Sequence, residues 1–251
     1  MPRYFIEISY KGTRYSGFQT QHNANTIQAE MEKAWEILQK EKMVLIGSSR
    51  TDTGVHALQN YFHFDSALLF DRRAVSYKLN AILPDDIVIT GIIPVGDEAH
   101  CRFDAISREY RYYVYQKKDP FLKDRAFYFP YRLDKGAMEE AAHIVKGCSD
   151  FTSFSKRNTQ VKTFTCDMME SEWVIEGDCL VYRVKANRFL RGMVRALTAT
   201  MLKVGRSKIS LDEFREIIAS RDCTRASFAV PPHGLFLMEV KYPPGMLPQK
   251  D

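Results

Sequence analysis

Apolar positions along this chain change period from about 2 residues to about 3.6 and back, in the order β-α-β-β-α-β, and few folds accommodate that order. It occurs twice. In the first half a strand-like run, Arg3 to Tyr10, leads through a polar loop to a helix starting at Thr26, where Ile27, Met31, Ala34, Trp35 and Leu38 share one face. A short strand (Met43 to Ile46), a polar loop (Gly47 to Gly54), a strand (Ala57 to Phe64), a helix (Asp71 to Ile82) and a strand (Ile87 to Pro94) follow. The second half opens with Arg108 to Gln116, crosses an irregular stretch containing Pro and Phe, and reaches a helix from Asp134 to Lys146. Two strands, Thr163 to Ile175 and Leu180 to Ala186, flank the turn signal Glu176-Gly177-Asp178. Helices at Arg188 to Val204 and Leu211 to Ser220 precede a last strand, Leu235 to Tyr242.

The order is that of the ferredoxin-like split unit, an antiparallel sheet with helices on one face and the other face open for binding. The expected class is therefore α+β: two ferredoxin-like, RRM-like β-α-β-β-α-β units with largely antiparallel sheets, joined side by side around a central cleft. The expected domains are 1–105 and 106–251. The two halves share topology without visible sequence similarity, and the topology alone selects no function.

Composition narrows the class further. Of 251 residues, 45% are hydrophobic and 27% charged, which excludes a largely disordered or fibrous chain. The net charge of +5 suits a polyanionic partner without identifying one. No run approaches the roughly 18 apolar residues of a membrane span, and the first residues carry no secretory pattern, so a cytoplasmic location is expected. Cys101, Cys148, Cys166, Cys179 and Cys223 are odd in number and form no C-x-x-C pair; the expectation is buried thiols without disulfides or zinc. His22, His56, His63, His100, His143 and His233 have no metal-ligand spacing, and nothing resembles a phosphate-cradling glycine loop. No metal or cofactor is expected.

The loop Ser49-Arg50-Thr51-Asp52-Thr53-Gly54-Val55-His56-Ala57 lies between two predicted strands, where a rigid scaffold presents side chains to a ligand. Asp52 is the candidate chemical group; equally, its carboxylate can fold back on the amides of Thr53 and Gly54 as an Asx-turn. Arg50 suits a carboxylate or a phosphate, or simply solvent.

This loop resembles Arg-Thr-Asp-x-Gly-Val-His-Ala, the signature of the TruA family of tRNA pseudouridine synthases, in which the aspartate is the nucleophile. Four further stretches are similar to family motifs in the same order: Tyr10 to Gln21, Arg108 to Tyr113, Phe189 to Arg195 and Pro231 to Leu235. Thr53 stands where the family usually has Ala, Lys11 where it has Asp, and Phe18 where it has Trp. The resemblance covers nearly the whole chain. It implies isomerisation of uridine in the tRNA anticodon arm, at nucleotides 38 to 40, by a homodimer in which one subunit helps position tRNA bound at the other. The aromatic stretch Asp119 to Tyr131 fits such an interface or core packing equally well.

That chemistry breaks the N1–C1′ bond, turns the uracil, joins C5 to C1′ and removes the C5 proton, consuming no oxidant, metal or ATP. One ionised carboxylate is the central need, held by a guanidinium that lowers its pKa against desolvation. At about 100° per residue, with Arg188 at zero, Arg191 falls at about 300° and Arg195 at about 340°, opposite Leu190, Met193, Val194, Leu197 and Met201. A helix with one basic and one apolar stripe fits this spacing, and so does a solvated charged face. With the resemblance, Arg195 becomes the expected partner of Asp52, and Arg188 and Arg191 become phosphate candidates. Tyr110 is assigned to stacking on the target uracil, an interaction of about 1–3 kcal/mol, with its hydroxyl available for removal of the C5 proton. Arg14-Tyr15, Arg72-Arg73 and Lys156-Arg157-Asn158 are further basic candidates along an RNA path. Two other readings remain at this stage: a non-catalytic RNA-binding protein, although no RNP aromatic motif is present, and a hydrolase with an aspartyl intermediate, although no second carboxylate is placed.

Overall fold

Among the described residues, four of the five α-helices begin where a short polar side chain replaces a missing backbone acceptor. Thr26 caps α1 (Ile27–Gln39), Asp71 caps α2 (Arg72–Ile82), Asp134 caps α3 (Lys135–Lys146) and Ser210 caps α5 (Leu211–Ala219). The first turn of α5 is closed reciprocally by Ser210 and Glu213. The exception is α4 (Met193–Gly205), which follows Gly192 in the left-handed region at φ 76°.

The computed structural model describes residues 1–67, 70–157 and 161–248. The class is mixed α and β with mostly antiparallel sheet pairing, as the period changes predict. The chain forms two compact units, 1–106 together with 237–251, and 107–236.

In the first unit β1 (Arg3–Tyr10) lies between β4 (Ile87–Val95) and β3 (His56–Asp65), antiparallel to both, with Phe5 opposite His63 on one side and Ile93 on the other. The short β2 (Ile46–Gly47) and the 237–241 part of β9 (Leu235–Lys241) also pair with β3. The order β4-β1-β3-β2 is the ferredoxin-like one. Ile27, Met31, Ala34 and Trp35 of α1 are buried, and the Trp35 ring lies 4.7 Å from Phe64 of β3. The side chain of Asn80 in α2 bonds both the N–H and the C=O of Ile89, tying that helix to β4.

In the second unit β8 (Cys179–Ala186) runs antiparallel to both β5 (Ser107–Tyr115) and β7 (Met168–Glu176). Alternation along β5 buries Tyr110, Tyr112 and Val114, the face assigned to one side by spacing. The core of α4 is apolar nearly all round, with Met193, Leu197 and Met201 fully buried.

Several boundaries differ from the sequence expectation, each for an identifiable reason. The helix expected from Arg188 starts at Met193, because the left-handed Gly192 and a turn closed by Met193 N–H to the Leu190 carbonyl precede it. The strand expected over 43–46 is reduced to Ile46–Gly47, since the Leu45 carbonyl is taken by the Gln28 side chain. The strand expected from Thr163 starts at Met168; before it, the backbone pairs with 149–151 through Phe151 to Phe164 and Cys166 to Ser149. Within the irregular stretch, β6 (Phe127–Tyr128) pairs in parallel with β5. The return of 237–251 to the first unit is a grouping that two consecutive domains do not contain.

Candidate active site

The loop carrying Asp52 is held on three sides by its own unit. Ser48 N–H donates to the Tyr61 carbonyl at 2.8 Å, Phe18 N–H to the Thr51 carbonyl at 3.1 Å, and Val55 N–H to the Asp52 carbonyl at 3.2 Å. The opening motif packs directly on it. Gly12 lies so close to Val55 that a Cβ would stand 2.0 Å from its carbonyl oxygen, and Gly12 N–H donates to His56 Nδ1 at 3.0 Å. Gly17, at φ 110°, leaves room for the Thr51 carbonyl. Phe18 is buried and stacks on Phe62.

Burial alternates through the loop: Ser49 and Thr51 are buried, Arg50 is exposed and Asp52 half-buried. The two groups with chemical potential therefore face outward from a tightly bonded base. Partial desolvation, then the nearby charge of Arg102, lower the pKa of Arg50. Two guanidiniums kept close in this way form a positive field that suits a phosphate. Arg14 differs, because its guanidinium is engaged by Asp85 and Asp86, both at 2.7 Å, while the Tyr15 hydroxyl donates to Asp86 at 2.5 Å. The bond to Asp86 raises the pKa of Arg14, while burial first and then the bond to Asp86 raise that of Tyr15. Arg72 and Arg73 open α2.

In the second unit Tyr110 is buried on β5, its ring edge-on to Phe189 at 5.0 Å. Arg195, in the first turn of α4, is half-buried and donates from Nε and Nη2 to the Val230 carbonyl at 3.1 and 2.7 Å. The next residue of that closing motif, Pro231, accepts a 2.7 Å bond from the Tyr112 hydroxyl, whose pKa is raised by burial. The guanidinium is thus fixed in one orientation by backbone. Arg188 and Arg191 lie in the segment before α4, not on a shared helical stripe with Arg195. The three-arginine stripe is corrected accordingly. Lys156 N–H bonds the Arg191 carbonyl at 3.0 Å; Asn158 lies outside the described residues.

The sequence pattern of the family described as tRNA pseudouridine synthase matches residues 7–104 and 141–243, which include the Asp52 loop, Phe189 to Arg195 and Pro231 to Leu235. The chain belongs to the tRNA pseudouridine synthase family. It is 45% identical to a tRNA pseudouridine synthase A of Parabacteroides distasonis over 252 residues, covering 100% of both chains. It is 43% identical to the protein so named from Porphyromonas gingivalis, covering 97% of this chain and 98% of the relative. With that of Staphylococcus aureus the identity is 37%, over 95% and 90%. Membership in a family of isomerases sets aside the non-catalytic and hydrolytic readings.

For this tRNA pseudouridine synthase family member, sequence reasoning passed over Arg102, which is 52 positions from Arg50 in sequence and meets it only through the fold. It also gave no sign that His63, His100 and Cys101 converge, with one potential ligand atom from each within 4.8 Å of the others. All three side chains already have protein partners. His63 Nδ1 accepts the Cys101 N–H at 3.3 Å, His100 Nδ1 accepts the Arg102 N–H at 3.1 Å, and the Cys101 thiol donates to the Ile46 carbonyl at 3.1 Å. Burial first, and then His100, lowers the pKa of His63 to about 4, and burial lowers that of His100. Among the described residues no disulfide joins the five cysteines; Cys101, Cys166 and Cys179 are buried, Cys148 and Cys223 half-buried. Among the described residues, no helix is long and apolar enough to cross a membrane.

Proposed function

We propose that this isomerase converts uridine to pseudouridine in the anticodon arm of tRNA, at nucleotides 38 to 40, with Asp52 as the nucleophile. The observation that carries the reading is the outward presentation of Asp52 and Arg50 from a loop whose alternate residues are buried, within a chain of this family. The carboxylate attacks carbon of the target nucleoside and the N1–C1′ bond breaks. The freed base turns, C5 bonds to C1′, the bond between Asp52 and the nucleoside breaks to return the carboxylate, the C5 proton leaves and N1 gains one; no electrons are exchanged with a cofactor.

Arg195 is the proposed guanidinium partner of the carboxylate, an assignment favoured by its fixed orientation on the Val230 carbonyl. Tyr110 stacks on the uracil after it flips from the RNA, a step that costs a few kcal/mol. Arg50, Arg102, Arg188 and Arg191 contact phosphates, and Arg14 anchors its own loop on Asp85 and Asp86. The protein works as a homodimer in the cytoplasm, which light scattering and cell fractionation test directly. The decisive assay is tritium release from tRNA carrying 5-tritiated uridine. Asp52→Asn keeps tRNA affinity and releases no tritium; wild-type release by that variant would overturn the assignment.

A further inference from the structure

A chain of buried hydrogen bonds runs beneath the Asp52 loop and begins at a residue that strand propensity disfavours. Asn60 sits inside β3 with no exposed surface, where a β-branched or aromatic side chain is usual. Both protons of its amide are used: one reaches the Ser49 carbonyl at 2.8 Å, the other the Tyr10 hydroxyl at 3.2 Å. Its carbonyl accepts the Tyr61 N–H at 2.9 Å. Tyr10 is 5% exposed, and its oxygen lies 2.7 Å from Thr51 Oγ1. The Tyr10 oxygen thus joins the Asn60 amide to the Thr51 hydroxyl through two buried hydrogen bonds. The relay therefore runs from Asn60 through Tyr10 to Thr51, the residue before Asp52, with a branch to the carbonyl of Ser49.

Its effect is geometric. Ser49 and Thr51 are pulled into the core on either side of Arg50, and alternation then turns Arg50 and Asp52 outward. We propose that Asn60 and Tyr10 are positioning residues that fix the orientation of Asp52 through the Ser49 carbonyl and the Thr51 hydroxyl. The inference rests on Asp52 being the nucleophile. A buried polar relay of this kind is stiff, because breaking any one bond strands a desolvated partner. Displacement of a reacting group by about 1 Å costs up to roughly 100-fold in rate.

The test is single-turnover tritium release by the full-length protein in excess over tRNA transcript carrying 5-tritiated uridine, with tRNA affinity measured by filter binding and folding by circular dichroism. Tyr10→Phe removes one oxygen and nothing else; Asn60→Leu removes the amide at similar volume. Both are expected to lower the rate per active site by about 10-fold or more at saturating enzyme while tRNA affinity stays within about 3-fold. A purely structural role would lower the melting temperature and the folded fraction but leave the rate per folded molecule at the wild-type value, and that result overturns the proposal. Loss confined to tRNA affinity overturns it as well. Should Asn60→Leu fail to fold, Tyr10→Phe alone decides. Asp52→Asn is run in parallel. If it is inert while both relay variants react at the wild-type rate, only the positioning role fails; if it reacts normally, the nucleophile assignment fails and the positioning role with it.

Discussion

Gly12 tolerates no side chain, and it shows how little freedom the Asp52 loop has. A Cβ there meets a backbone carbonyl, which cannot rotate away. Gly12→Ala is therefore expected to lower the stability of the protein by about 2–4 kcal/mol, read as a fall in the urea midpoint. The Asp52 loop and this glycine both stand out in the sequence through motifs, because the chemistry fixes residue type and spacing. Asn60 does not: nothing in a strand pattern says that a polar residue will be buried and fully bonded. Arg102 was equally unreadable, since its meaning lies in its approach to Arg50. Arg50→Gln is expected to weaken tRNA binding and reduce the slope of log affinity against log salt by about 1, measured by filter binding across a salt series.

Caps and periods act locally, so the elements they govern fall close to expectation. Asp71 and Asp134 mark the starts of α2 and α3, and β1 is bounded as the alternation indicates. Ser210→Ala removes the hydroxyl that accepts the Glu213 N–H in the capping box of α5, and thermal or urea unfolding is expected to register a loss of about 0.5–2 kcal/mol. The segment before α4 defeats the same reasoning. Its residues continue a helical period, but Gly192 takes the left-handed conformation and the backbone of 191 is bonded by Lys156 from a distant segment. Arg188 and Arg191 are thereby separated from the face that Arg195 occupies. The shortened β2 and β7 have the same cause, in that a nearby chain segment claims backbone groups before the sheet does.

At the scale of the whole molecule, buried imidazoles couple stability to pH. His63 in the folded protein has a pKa of about 4, lowered first by desolvation and then by the neighbouring His100, and His100 and His233 are shifted in the same direction. An unfolded histidine titrates near about 6.5, so between those values the unfolded chain binds more protons. Stability contributed by the neutral rings is complete above about pH 6.5 and is lost as the pH falls toward 4. Asp65, Asp86 and Asp150 have lowered values, so their contribution persists through that window and is lost only at more acid pH. The urea midpoint is expected to fall from pH 7 to pH 4.5, and His63→Gln to flatten that fall. The sequence by itself determined the class, the alternation of elements, the helix caps and the loop with its aspartate, because each depends on neighbours a few residues apart. Only the tertiary structure decided which strands β9 pairs with, which arginines share a face, and how Asn60, Tyr10 and Thr51 meet, because those contacts join residues far apart in the chain whose partners no local period encodes.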